Sequence, residues 1–227
     1  MKNIYDIFYK NQTPVKSQAV KKIDIEWSQH AVGIYNIGRS LIPDFKIDSY
    51  NSDILMNLLL YFTGNKEIIY NGVAKKCNLD LNKGLLIVGG VGSGKSKMFE
   101  LFRLYTYEIL QTNTFQYLLS SQIVKDVDSK GLAELEQYSL KANAKRPIYI
   151  DDIASVNENV THFGTVINVI EQLLQDRYNL FIRNNFLTHA TSNKYPAELA
   201  KIYDIRTIDR FNEMFNIIEL DSPSRRK

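Results

Sequence analysis

The stretch GGVGSGKS, Gly89 to Ser96, has the spacing G-x-x-x-x-G-K-[ST], with Gly89, Gly94, Lys95 and Ser96 in register. Glycine at these places lets backbone N–H groups turn inward around an anion, and a following helix adds the positive end of its dipole. The expected chemistry is polyphosphate binding. The main chain of Gly90, Val91, Gly92, Ser93 and Lys97 would wrap the phosphates, Lys95 would reach the β- and γ-phosphates, and the Ser96 hydroxyl would sit on Mg²⁺.

A second constellation follows at RPIYIDDIAS, where the apolar run Ile148-Tyr149-Ile150 delivers two adjacent acids. A phosphate-binding loop of this kind needs a carboxylate at the end of a neighbouring strand to hold the magnesium through water, and Asp151 fits that role. Asp152, immediately after it, is placed to polarise an attacking water. That points to hydrolysis rather than transfer to a bound acceptor. An aspartate one carbon shorter than glutamate predicts slow hydrolysis.

These groups have to be positioned by the elements around them. Leu85-Leu86-Ile87-Val88 reads as a buried strand over 84–88, and Lys97 onward takes up a helical pattern, giving a helix over 95–110. FQYLL (115–119) reads as a second strand, and 120–140 as two short helices separated by Gly131. One long helix is expected over GTVINVIEQLLQDRYNLF, with Val166, Ile167, Ile170, Leu173 and Leu174 at helical spacing. FLTHATSN is a further strand that places Asn193 at its polar end. Upstream, Ser52-Asp53 caps the helix ILMNLLLYF, which Gly64 ends, and Pro43 breaks whatever precedes it. Strands separated by helices imply right-handed crossovers and a parallel sheet. Ligands of such sheets lie beyond the carboxyl ends of the strands. Gly89–Ser96, Asp151, Asp152 and Asn193 each lie just past a strand, so all should converge on one edge.

The chain has 227 residues, 44% hydrophobic and 23% charged, enough for one sizeable core plus an extension. A net charge of +3 permits nucleic-acid contact without demanding it. A single cysteine, Cys77, cannot close an intrachain disulfide and fits a reducing compartment. The three histidines (His30, His162, His189) have no metal-ligand spacing; His30 and His189 read as structural. No signal-peptide core and no apolar run of membrane-spanning length is evident, so a soluble cytoplasmic protein is expected, with no membrane partner.

Taken in order, Gly89–Ser96, IYIDDI, the Arg177-Tyr178 dipeptide, THATSN and YDIRTIDRF resemble the DnaC-type helicase loaders of the AAA+ class, and the transposon-encoded IstB-like ATPases that share the same core. The resemblance covers about residues 45–227. It implies an α/β fold: an AAA+ P-loop NTPase core with a parallel sheet flanked by helices, no C-terminal lid domain, and a helical N-terminal extension. It implies an ATPase using ATP and Mg²⁺, acting on a replicative helicase and on single-stranded DNA, or assisting a transposase. A nucleotide-gated adaptor with negligible hydrolysis is the remaining alternative. Carried over by position, Asn193 matches the sensor 1 asparagine that positions the hydrolytic water. Arg210 matches the arginine finger supplied in trans to a self-associated neighbour, with Arg206 the alternative finger or its partner. The tail DSPSRRK resembles the sensor 2 segment, leaving Arg226 or Arg225 to contact phosphate. The family often has glycine where Asp204 stands, so the local turn is expected to differ.

The resemblance also implies a single-strand contact over residues 120–146, carrying Lys125, Lys130, Lys141, Lys145 and Arg146. Asp126, Asp128, Glu134 and Glu136 dilute that charge, leaving a solvated face as the alternative. Tyr138 is either a stacking residue or packing. The chain divides into residues 1–48, an extension, and 49–227, the ATPase domain. The apolar clusters of the first part (Ile4, Tyr5, Ile7, Phe8, Tyr9, then Ile23, Ile25, Trp27) match no catalytic motif. They fit a partner-binding arm, or else an extra helix packed on the core.

Overall fold

In this computed structural model, residues 27–70, 73–112, 115–139 and 146–225 are described. Five strands form one parallel sheet: β3 (Gly84–Val88), β4 (Gln116–Leu119), β5 (Ile148–Ile153), β8 (Thr188–Ser192) and β9 (Phe215–Glu219), in the spatial order β4-β5-β8-β3-β9. Two antiparallel hairpins stand apart from it, β1 (Glu67–Tyr70) with β2 (Val73–Lys76) and β6 (Asn159–His162) with β7 (Thr165–Asn168).

The sheet is buried on both faces, which is why its central strands read as continuous apolar runs. Alternation along β3 sends Leu85 and Ile87 to one side, Leu86 and Val88 to the other. On the first side lie α1 (Trp27–Leu41), α2 (Ser52–Thr63) and α3 (Lys95–Glu108), contributing Ile34, Leu58, Phe99, Phe102 and Tyr105 to the core. On the second lie α4 (Ser120–Lys130), a 3-10 turn and α5 (Glu136–Ser139), α6 (Val169–Asn184), α7 (Pro196–Leu199) and α8 (Ile205–Met214), with Ile123, Ile170, Leu173 and Phe211 packed inward. The result is a three-layered α/β fold, one parallel sheet between two layers of helices.

The helix expected from Gly164 begins instead at Val169. Thr165-Val166-Ile167 is a β-branched run, and such residues favour a strand over a helix where a partner strand is at hand. They pair with Asn159–His162, and Phe163 and Gly164 make the turn with φ of 48° and 80°. Asn168 then caps α6, its side chain accepting from the Glu171 amide at 2.9 Å. At α2 the helix starts on Ser52, with Asn51 in the cap position and its side chain turned to the Lys46 carbonyl and the Asp48 amide. Gly64 ends α2 in the left-handed conformation, φ 71°.

Residues 27–48 lie against the core. α1 packs along α3, and His30, 4% exposed, shares a hydrogen bond with the Tyr105 hydroxyl. Beyond it the chain doubles back so closely that a side chain at Gly38 would collide with the Phe45 ring. Residues 1–26, with most of the apolar clusters of the N-terminal segment, are outside the described residues.

Candidate nucleotide site

The loop between β3 and α3 forms because five residues of strand are followed at once by glycines that can leave it in directions closed to other residues. Gly92 and Gly94 have φ of 83° and 104°, in the left-handed region. Gly89 is required for a second reason: a β-carbon there would run into the Leu220 carbonyl. Gly94 is the N-cap of α3, so the first amides of that helix, which lack intrahelical partners, face the loop. Lys95 folds back over the loop and donates to the carbonyls of Gly89 (2.7 Å) and Gly90 (2.9 Å). Lys97, at the rim, pairs with Glu100 at 2.7 Å.

The Ser96 hydroxyl donates to Asp151 Oδ1 at 2.8 Å, joining the two constellations read from the sequence. Three further hydroxyls reach the same carboxylate. Tyr149 (2.5 Å) and Thr191 (2.6 Å) donate to Oδ1, and Tyr117 donates to Oδ2 at 2.9 Å. Burial of the Tyr117 phenol beside Asp151 pushes its pKa up to about 12, and the Tyr149 hydroxyl is raised by burial as well. These partners were missed in the sequence, although the period of two along a strand pointed to Tyr149 and Thr191. Each stands two residues before an expected site residue, on the same strand face.

Asp152 is aimed differently. The pairing of β5 with β8 slips between Ile150 and Ile153, and at this bulge Asp152 takes φ of 63°. Its amide donates to Thr191 Oγ1 on β8 (2.9 Å) and its carbonyl accepts from Ser120 Oγ at the start of α4 (2.8 Å), so the turn is held from both sides. Asp152 lines a cleft of about 900 Å³ together with Val91–Met98, Asn193 and Arg225. Asn193, one residue beyond β8, has its Oδ1 buried without a hydrogen-bond partner. A buried amide oxygen left open in this way costs on the order of 1–3 kcal/mol, and a bound ligand or its water would remove that cost.

The far wall of the cleft was not anticipated. Gly38, Leu41, Ile42, Pro43, Phe45 and Asp48 line it, so a domain division at residue 48 passes through the cleft. The C-terminal tail crosses the loop from the other side. Ser222 Oγ donates to the Ser93 carbonyl (3.2 Å), and the Arg225 amide to the Gly92 carbonyl (2.9 Å). Arg226 is outside the described residues.

Arg206 and Arg210 are not brought to this cleft. Both stand on α8, Arg206 exposed and Arg210 with its guanidinium 4.8 Å from the Tyr178 ring centre. The Tyr178 hydroxyl donates to Glu213 at 2.7 Å. Arg177, fully buried, donates to Thr188 Oγ1 and to the carbonyls of Tyr138, Arg146 and Leu187, fastening α6 to the sheet. The dipeptide thus splits its work: Arg177 anchors the helix and Tyr178 seats Arg210. Asp204 is the N-cap of α8, accepting the Thr207 amide at 2.8 Å with φ of −67°, a conformation that has no need of glycine.

In the segment 120–146, Lys125 is exposed, Lys130 pairs with Asp126 at 3.1 Å, and Arg146 donates to Gln116 at 2.9 Å. Tyr138 is 8% exposed and belongs to the core. Lys141 and Lys145 are outside the described residues. His189 is a buried strand histidine whose Nδ1 accepts the Leu85 amide at 3.1 Å. Among the described residues no three His, Cys, Asp or Glu side chains gather as a metal centre. The donor set of Ser96 and Asp151 fits magnesium, which takes few protein ligands and completes its shell with water and phosphate oxygens. Among the same residues no helix is long and apolar enough to cross a membrane.

No family model and no curated protein matches the chain. Solved structures do. A protein described as a primosome component from Streptococcus pyogenes serotype M3 superposes with a TM-score of 0.56 at 17% identity, over 82% of this chain and 87% of that one. The DnaC helicase loader gives 0.53 at 17% identity, over 82% of this chain and 98% of its own. The replication initiator DnaA bound to AMPPCP and single-stranded DNA gives 0.52 at 13% identity, over 80% of this chain and 49% of the initiator. The chain therefore has the AAA+ fold seen in DnaC and DnaA.

Proposed function

We propose that this chain, with the AAA+ fold of DnaC and DnaA, is an ATP-dependent replication factor that binds Mg·ATP and single-stranded DNA and acts on a replicative helicase. The observation that carries the nucleotide part is the 2.8 Å bond between Ser96 Oγ and Asp151 Oδ1, at the edge of a cleft into which Asp152 and Asn193 also open. The base would lie against the apolar wall of Leu41, Pro43 and Phe45. The phosphates would take the loop amides, and Lys95 would exchange the carbonyls of Gly89 and Gly90 for phosphate oxygens. Ser96 and Asp151 would hold magnesium, which neutralises charge on the β- and γ-oxygens. Asp152 then orients a water in line with the γ-phosphorus and accepts its proton, while Asn193 fixes that water from β8. Arg210, turned away from its own cleft, would serve the site of a neighbouring copy.

Support for the DNA and helicase part is the likeness in fold to structures whose own partners are a helicase and single-stranded DNA. With Tyr138 packed in the core, contact along α4 would run through phosphate-binding cations alone. The deciding experiment measures ATP turnover with and without single- and double-stranded DNA, followed by capture of the ATP-trapped Asp152→Asn protein from its native cell. Turnover stimulated by single strands, with a helicase in the captured fraction, supports the proposal. Preference for duplex DNA would move the reading to a transposition helper, and nucleotide binding without turnover to an adaptor.

A further inference from the structure

We propose that Tyr117 is a positioning residue for the metal: its phenol fixes the outer oxygen of Asp151 as the one that receives the water shell of bound Mg²⁺. This rests on the nucleotide reading above. The argument starts from the lone pairs of the carboxylate. Oδ1 already accepts from Ser96, Tyr149 and Thr191 at 2.5–2.8 Å, more donors than an oxygen with two lone pairs accommodates well. Oδ2 accepts from Tyr117 at 2.9 Å, which leaves it one lone pair for a metal-bound water. Rotation about the Cβ–Cγ bond carries both oxygens, so the Tyr117 bond braces from Oδ2 the same torsion that the three donors brace from Oδ1. By taking one lone pair of Oδ2 it also sets the direction of the other.

Register explains why this residue reaches the site. Tyr117 pairs with Tyr149 across β4 and β5, and Leu119 with Asp151, so 117, 149 and 151 share one face of the sheet. The two tyrosines differ in what else they do. Tyr149 is fully buried and stacks on Phe99 with ring centres 4.1 Å apart, a core residue in its own right. Tyr117 is 50% exposed on the edge strand and borders a second cavity of about 380 Å³, which Ser96, Lys97 and Glu100 also line. Its hydroxyl therefore stands between Asp151 and a cavity beside Ser96, where the outer waters of a bound ion would lie.

The test separates metal from nucleotide. Affinity for a fluorescent ATP analogue is measured in EDTA and across a Mg²⁺ titration, for the wild-type chain, Tyr117→Phe and Ser96→Ala, with thermal unfolding of each. Partners that orient metal ligands are typically worth about 10–100-fold in metal affinity, and one acting beside a water shell belongs at the low end. Tyr117→Phe should leave metal-free affinity and thermal midpoint within about twofold and a degree or two of wild type, and raise the Mg²⁺ midpoint about tenfold. Ser96→Ala should flatten the Mg²⁺ response. An unchanged Mg²⁺ midpoint in Tyr117→Phe, or a parallel loss of metal-free affinity, overturns the assignment. A wild-type chain that binds no nucleotide at all overturns the functional reading, and this one with it.

Discussion

Arg225 and Asp48 lie 177 residues apart in the chain and meet across the mouth of the cleft, Nη2 to Oδ1 at 3.0 Å. The guanidinium beside it holds the Asp48 carboxyl below the usual carboxylate range. If Arg225 is the tail arginine that contacts phosphate, Asp48 competes for it with the incoming nucleotide. Asp48→Asn should then tighten ATP binding, by at most about fivefold because the pair is partly exposed. Arg225→Ala should weaken binding, and the double variant should match Arg225→Ala. Equilibrium titration of all three decides. Weaker binding by Asp48→Asn would mean that the carboxylate orients Arg225 instead.

How much of this could be read in advance depended on range along the chain. The meeting of Gly89–Ser96, Asp151, Asp152 and Asn193 at one edge of the sheet was legible because each is a local event, a residue standing at the end of an apolar strand. The cleft wall at 38–48 was not. Nothing in Leu41 or Phe45 marks them as cleft-facing until the loop after α1 is laid over the Gly89–Ser96 loop, about fifty residues away. The hairpin at 159–168 was hidden for another reason: Val166 and Ile167 happen to continue the helical spacing of α6, and only pairing with Val160 and Thr161 distinguishes strand from helix. Tyr117 was invisible in principle, since its role depends on the register of β4 against β5.

The buried His189 gives a pH dependence with a definite sign. Burial, helped by the Arg177 charge, pushes its pKa down to about 3, so the folded chain keeps it neutral. The unfolded chain takes up a proton below roughly pH 6.5. Between those values unfolding binds a proton, and stability falls as pH falls, by up to about 1.4 kcal/mol per unit. From pH 7 to 5.5 the loss from this residue should be about 1 kcal/mol. Urea unfolding at both values should show it, and His189→Gln, which keeps an acceptor for the Leu85 amide, should lessen the slope by that amount. An identical slope in the variant would mean that His189 is not the group responsible.

The proposed trans role of Arg210, which stands outside the lining of its own cleft, is tested by mixing variants. Arg210→Ala should leave ATP affinity of the isolated chain nearly intact and lower turnover of the assembly. Fingers at fast sites are worth about 10³–10⁵ in rate; with Asp152 in place of a longer acid a smaller factor is expected. Mixing Arg210→Ala with Lys95→Ala protein should restore part of the activity, since one contributes the site and the other the finger. Tyr178→Ala, which removes the ring under the guanidinium, should cost about 0.5–1 kcal/mol, a few-fold in assembled turnover, with ATP affinity unchanged. A mixture that stays inactive at every ratio would rule out the trans arrangement.

The N-terminal segment is best tested by two truncations, because its parts have different neighbours. A chain beginning at Trp27 keeps α1, the His30–Tyr105 contact and the cleft wall. If residues 1–26 are a partner-binding arm, that chain should fold, bind ATP with wild-type affinity and lose association with the helicase. A chain beginning at Asp44 loses α1 as well. Ile34 and Ile37 leave the core, Phe102 and Tyr105 are uncovered, and Gly38–Pro43 no longer close the cleft. Removing two buried isoleucines alone forfeits about 1.5–3 kcal/mol each, a large share of the 5–15 kcal/mol that holds a domain folded. The Asp44 chain should therefore be insoluble or bind ATP poorly, with or without a partner. Circular dichroism, nucleotide titration and helicase capture on both chains separate the roles. Full helicase association by the Trp27 chain would show that residues 1–26 are not the arm, and the partner surface would then have to lie on the folded core.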